Sequence, residues 1–211
     1  MVGILASVAA AYAIGCIPTG LLVGRFAGIP DIRRYGSGNV GATNVLRTLG
    51  WRPALLVLAL DTSKGVAGVL LERWAGGSPE WQATGGCAAM AGHMWPFTIG
   101  FRGGRGVATA LGVMLALDPV AALVAVVVFV LVVGLTRYVS LGSITAVIFA
   151  VITLGLRGGS WGQIIITGLG ASAIIWRHQP NIRRLLAGQE NKFSFRGRTG
   201  AAVPAPTHPV S

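Results

Sequence analysis

Apolar runs of membrane-crossing length recur along nearly the whole of this sequence, near residues 2–24, 53–71, 81–99, 139–156 and 161–176. A span needs about 20 residues, because the hydrocarbon core is about 30 Å thick and a helix rises about 1.5 Å per residue. Backbone polar groups inside hydrocarbon must be satisfied within the segment, which makes runs of this length helices. Only 11% of the residues are charged, against roughly 25% in a soluble domain. The expected fold is all-α, a polytopic transmembrane bundle. The first run has no basic residue before it and no evident cleavage site, so it reads as a retained helix.

A further apolar block, residues 106–135, is interrupted by Asp118-Pro119. As one helix it would be about 45 Å long, too much for the bilayer core, whereas its first part alone would be only about 18 Å. Charge separates the two readings. If the block is two helices, 14 of the 17 lysines and arginines fall on one side, only Arg73 and Arg157 fall on the other, and Lys64 lies within a span. Merging the block would send the six basic residues from Arg177 to Arg198 to the opposite face. The positive-inside rule therefore predicts about seven spans, with the N-terminus outside and the C-terminus in the cytoplasm. Residues 1–196 form the expected membrane-embedded domain, and 197–211, rich in Gly, Pro and Ala, an expected disordered cytoplasmic tail.

The net charge of +11 fits this orientation, contact with anionic lipid and binding of a phosphorylated substrate. No nucleic-acid-binding signature is present, so nucleic acid is not an expected partner. The 32 glycines are about twice the average share of roughly 7%. Most suit close helix packing. Cys16 and Cys87 lie in apolar stretches without metal-ligand spacing, and no metal is expected.

Glycines lying between basic residues need a different explanation. Gly36-Ser37-Gly38-Asn39-Val40-Gly41-Ala42-Thr43-Asn44 precedes Arg47. Such a loop can turn successive amides toward an anion, with Ser37, Asn39, Thr43 and Asn44 adding side-chain donors. It is neither a Walker loop nor a dinucleotide fingerprint. Phe101-Arg102-Gly103-Gly104-Arg105-Gly106 opens a span, joining free amides and a favourable dipole end to guanidinium groups. Arg177-His178-Gln179-Pro180-Asn181 follows the last run, with His178 and Asn181 three residues apart among arginines. A lone histidine at a membrane edge is more often structural, but this setting gives it a candidate functional role. Ser140 and Ser143 offer hydroxyls from another inside loop. Asp61 and Lys64, three residues apart within a span, should pair or face the bundle interior, as glue or as catalytic groups.

Together the segments GSGNVGATNVLR, DTSKG, GHMWPFTIGFRGGRGVAT, RYVSLGSI and RHQPNIRRLLAGQENK, spread from residue 36 to 192, closely resemble the bacterial PlsY family. The resemblance implies a seven-span enzyme of the bacterial plasma membrane with its site on the cytoplasmic side. It implies transfer of an acyl group from acyl phosphate to the 1-hydroxyl of glycerol 3-phosphate, giving lysophosphatidic acid and phosphate without cofactor or metal. Implied partners are the two substrates, membrane lipid and the enzyme that forms acyl phosphate. On this basis Arg47, Arg105, His178 and Asn181 are expected to hold glycerol 3-phosphate, with His178 and Asn181 catalytic. Ser37, Gly38, Asn39, Gly103 and Gly104 are expected to hold the acyl phosphate head. Thr43, Asn44, Asp61, Lys64, Ser140 and Ser143 are expected in support. The expected chemistry is direct attack by the hydroxyl, with the leaving phosphate or His178 taking the proton. One departure concerns Arg105, where the family usually carries Lys, replacing a flexible point charge by a planar fork. Another is Gln179-Pro180, where a basic residue is common at the first position.

Two rivals come from other classes. A small transporter of a phosphorylated anion would need internal repeats and a site reachable from both faces, and neither is evident. A non-catalytic lipid-binding subunit would need only the charge asymmetry.

Overall fold

The computed structural model describes residues 1–193; the expected disordered tail, 197–211, lies outside the described residues, as do Arg196 and Arg198. The described residues contain helices and no strand. In chain order the α-helices are α1 (Val2–Gly15), α2 (Thr19–Phe26), α3 (Ala42–Leu49), α4 (Trp51–Trp74), α5 (Pro79–Met94), α6 (Val107–Leu117), α7 (Pro119–Thr136), α8 (Val139–Leu156), α9 (Trp161–Arg177) and α10 (Gln179–Leu186). Val2–Phe26 (α1 taken with α2), Trp51–Trp74, Pro119–Thr136 and Val139–Leu156 are long and apolar enough to cross a membrane.

The division of the 106–135 block falls where the sequence placed it. The Asp118 carboxylate accepts the amides of Val120 and Ala121 at 2.9 and 3.1 Å. Pro119 occupies the first turn, where its missing N–H costs nothing. Arg157, at the end of α8, donates to the other Asp118 oxygen at 2.7 Å and ties that helix end to the break. Elsewhere the boundaries differ from expectation. The 2–24 run is two helices separated at Cys16–Pro18, because Pro18 offers no amide to continue the ladder. The 81–99 run ends as helix at Met94, ahead of Pro96. Part of the glycine-rich loop is the short helix α3, and the segment after His178 is another, α10.

α4 packs against α1, α5, α6 and α3, while α5 also meets α1 and α9, and α7 pairs with α8. Glycines allow the closest approaches. A Cβ on Gly65 would lie 2.0 Å from the Thr109 carbonyl oxygen, and one on Gly112 would lie 1.9 Å from that of Thr62. α4 and α6 therefore meet backbone to backbone, as small residues permit in membrane bundles. Buried Leu21, Ile29, Ile32, Val45 and Val57 form an apolar base beneath the glycine-rich loop. Val69, Met90, Met94, Val113, Val147 and Ile174 fill the centre.

Candidate active site

A cavity of about 420 Å³ begins among polar groups at one end of the bundle and continues between helices. Its polar part is lined by Ser37, Asn39, Thr43, Asn44, Arg47, Arg105, Ser140, Ser143, His178, Asn181 and Glu190. Its apolar part is lined by residues such as Leu58, Met90, Val107, Phe129, Val147 and Ile174. Asp61 also reaches the lining, whereas Gly38, Lys64, Gly103 and Gly104 do not.

Asn44 explains the shape of the glycine-rich loop. Its buried side-chain amide donates to the carbonyls of Ile32, Tyr35 and Asn39 at 3.1, 3.0 and 2.8 Å. Its carbonyl oxygen accepts the Ser37 amide at 2.7 Å. Gly36 (φ +59°) passes so close that a Cβ there would lie 2.4 Å from this oxygen. Asn44 thus serves the loop, leaving Ser37, Asn39 and Thr43 at the cavity. The Gly38 amide donates to the Tyr35 carbonyl, and those of Gly103 and Gly104 donate to Met94 and His93. These three amides are engaged in holding turns, a physical reason to look to side chains for anion contacts.

Arg177 takes no place in the lining. Its guanidinium donates to the carbonyls of Gly103 at 2.9 Å and Gly104 at 3.2 Å, clamping the turn from which Arg105 enters the cavity. Burial lowers the pKa of Arg105 to about 10; Glu190 opposes this shift, and the neighbouring cations Arg184, Arg47 and Arg177 add to it. Burial likewise lowers that of Arg47. Cations gathered in this way, with little to neutralise them, form a place for an anion.

Glu190 is the carboxylate among them. It accepts from Ser140 Oγ at 2.8 Å, Asn181 Nδ2 at 2.7 Å and Arg184 Nε at 2.8 Å. Burial works against its charge, but these three bonds hold its carboxyl below the usual range. The segment carrying it crosses from α10 to α8, where the Phe193 amide donates to the Arg137 carbonyl at 2.7 Å. Asn181, bound to Glu190 through its amide, leaves a buried carbonyl oxygen without a partner.

His178 Nδ1 lies 2.8 Å from the Ile174 carbonyl oxygen, which can only accept. Nδ1 therefore carries the proton, and Nε2 of the neutral ring is an acceptor. The ring is 1% exposed. Burial, aided by the charges of Arg105 and Arg177, lowers its pKa to about 4.

The profile of the glycerol-3-phosphate acyltransferases matches residues 5–188. The chain belongs to this family. A glycerol-3-phosphate acyltransferase of Trichlorobacter lovleyi is 48% identical over 186 residues, covering 88% of this chain and 95% of its own. That of Desulforudis audaxviator is 45% identical, covering 88% and 93%. The crystal structure of PlsY, an integral membrane glycerol 3-phosphate acyltransferase, in its glycerol 3-phosphate form matches with a TM-score of 0.86 and 41% identity, covering 90% of this chain and 96% of that one. The lysophosphatidic acid form matches with a TM-score of 0.84 and 40% identity, covering 90% and 95%.

In this acyltransferase the structure brings Ser37, Asn39, Thr43, Arg47, Arg105, Ser140, Ser143, His178 and Asn181 to one cavity. Glu190 also lines this cavity, a residue whose sequence signal is only that it is one of six acidic residues and follows the basic stretch after His178.

The depressed pKa of His178 has a measurable consequence. Between an unfolded value near 6.5 and a folded value of about 4, the unfolded chain binds the proton and the folded one does not. Stability is therefore expected to fall as pH drops from about 6.5 to about 4, by at most about 3 kcal/mol, and to lose nothing more from this residue below that. Thermal unfolding in detergent should show a shallower acid slope for His178→Gln than for wild type. Parallel slopes would remove His178 as the cause.

Proposed function

We propose that this protein transfers an acyl group from acyl phosphate to the 1-hydroxyl of glycerol 3-phosphate, giving lysophosphatidic acid and phosphate. The observation that carries the reading is the cavity itself, in which a cluster of cations leads directly into an apolar space between helices. Such a cavity suits a phosphate head and an acyl tail in one ligand, with room among the cations for a second anion. The names of the relatives and the two forms of PlsY support the acceptor and product.

Arg47 and Arg105 hold the glycerol 3-phosphate phosphate, His178 Nε2 accepts a hydrogen bond from a substrate hydroxyl, and Asn181 orients it. Ser37 and Asn39 meet the acyl phosphate head, with Gly38, Gly103 and Gly104 shaping the turns on either side. Thr43, Asn44, Asp61, Lys64, Ser140 and Ser143 support this arrangement. In the reaction the hydroxyl oxygen bonds to the acyl carbon and the bond from that carbon to the phosphate oxygen breaks. The donor is already activated, so alignment supplies much of the acceleration and no cofactor is needed. The departing phosphate takes the proton, and His178 Nε2 holds the hydroxyl in line through its hydrogen bond.

The protein acts in the bacterial cytoplasmic membrane, where seven spans (α1 with α2, then α4 to α9) place the N-terminus outside and the cavity mouth in the cytoplasm. The crowding of basic residues on the connections at the mouth supports this orientation. The enzyme that forms acyl phosphate is a natural partner at that face.

Purified protein in detergent should convert labelled glycerol 3-phosphate to lysophosphatidic acid with acyl phosphate as donor. Acyl-CoA should not replace it, and robust turnover with acyl-CoA alone would assign a different donor. For topology, a cysteine in place of exposed Lys192 should react with an impermeant maleimide only after cells are opened. Labelling above the unmodified chain in sealed cells would overturn the seven-span orientation.

A further inference from the structure

A cluster of buried polar side chains, of which Asp61 and His93 reach the cavity wall, links the break between α1 and α2 to the turn that bears Arg105. Asp61 and Lys64 on α4 are 1% and 4% exposed. Lys64 Nζ donates to Asp61 Oδ1 at 2.7 Å and to the Ile17 carbonyl at 2.6 Å. Thr19 Oγ1 donates to the same Asp61 oxygen. His93 on α5 places Nδ1 3.4 Å from that oxygen. The other side of its ring lies against the glycine turn, where a Cβ on Gly104 would fall 2.0 Å from Nε2. The Gly104 amide donates to the His93 carbonyl at 3.0 Å, so the turn rests on His93 through both ring and backbone.

An ion pair inside a membrane bundle is costly, and well-packed apolar residues of similar size often serve stability as well or better. Here Asp61 Oδ2 is even left buried without a partner. What the cluster does secure is geometry. Lys64 and Thr19 fix the carboxylate, the carboxylate orients the imidazole, and the imidazole supports the turn that Arg177 clamps from its carbonyl side.

We infer that Asp61 and His93 are positioning residues for Arg105, setting where its guanidinium meets the substrate phosphate. The inference rests on the reading that Arg105 holds that phosphate, and it goes further by naming the device that places it.

A double-mutant cycle with acyl phosphate and glycerol 3-phosphate tests it. His93→Ala and Asp61→Asn should each raise KM for glycerol 3-phosphate roughly 10-fold while kcat changes far less, as expected when a binding group is displaced by a fraction of an ångström. Introduced into Arg105→Ala, either change should have almost no further effect, because the group it positions is gone. His93→Asn offers an amide donor near the place of Nδ1 and should recover part of the affinity. Additive losses, or a fall in kcat at unchanged KM, would overturn the inference while leaving the site reading intact. A wild-type protein that does not use glycerol 3-phosphate, or an Arg105→Ala variant with normal kinetics, would remove the site reading and this inference with it. If neither single variant yields folded protein by gel filtration, the cluster is structural and the inference falls.

Discussion

Glu190→Ala is expected to be among the most damaging single changes at the cavity, costing about 1–3 kcal/mol, the range for leaving buried hydrogen-bond partners unsatisfied. Arg184 across the ion pair is 38% exposed and can be solvated, which holds the cost to that range. The carboxylate, 6% exposed, gathers Ser140 from α8, Asn181 from α10 and Arg184 from the end of α10. It is also the negative charge that favours the protonated forms of Arg47 and Arg105. Without it those cations face one another, and the hydrogen-bonded link between Asn181 on α10 and Ser140 on α8 is lost. The thermal midpoint in detergent should fall by several degrees, and activity should fall even at temperatures where the variant remains folded. Glu190→Gln keeps an oxygen for one of its donors and should lie between alanine and wild type. A variant with wild-type stability and turnover would show that the carboxylate is dispensable.

For Arg105→Ala, kcat/KM for glycerol 3-phosphate should fall roughly 10- to 150-fold, from a charge-assisted contact of about 1.5–3 kcal/mol at about 1.4 kcal/mol per decade. With a pKa of about 10, Arg105 remains charged at neutral pH despite its burial, so the contact is available throughout the physiological range. Arg105→Lys keeps the charge and should retain much more activity than alanine. It loses the fork geometry that can hold two phosphate oxygens at once, so KM should rise more than kcat falls. The competing reading is that Arg105 merely orients the chain in the membrane. Equal kinetics for the alanine, lysine and wild-type proteins, all correctly folded, would favour that reading and take Arg105 out of the site.

Much of this architecture could be read from pattern because hydrocarbon tolerates so little. Asp118-Pro119 marks a helix boundary in any apolar block, and its side chain caps α7 accordingly. Glycines crowded among arginines mark turns next to the cavity, and Ser37, Arg47 and Arg105 from those segments line it. What was not legible depends on contacts distant in sequence. The glycine-rich loop keeps the Gly38 amide for the Tyr35 carbonyl rather than for an anion, and Asn44 turns inward to organise it. His93 gave no isolated signal, since its significance comes from Asp61, 32 positions away, and from a turn that follows it. Glu190 was obscured by lying in a polar segment beyond the last span, where acidic residues are ordinarily solvated. Asp61 and Lys64 were recognised as a pair, but only the fold shows that the pair extends to Ile17, Thr19 and His93.

The shortness of α6 has a consequence for how the cations act. Its 11 residues make a helix of about 16 Å, roughly half the thickness of a hydrocarbon core. It is packed against α4, which has 24 residues, and α7, which has 18. The turn leading into α6 is therefore recessed between longer neighbours, and Arg105 with it. Mobile ions largely screen attraction between charges standing in open water beyond about 10 Å at ordinary ionic strength, but they screen recessed charges far less. A phosphate drawn into this well should therefore meet nearly the full field of its cations, and its retention is expected to depend only weakly on the salt content of the surrounding solution.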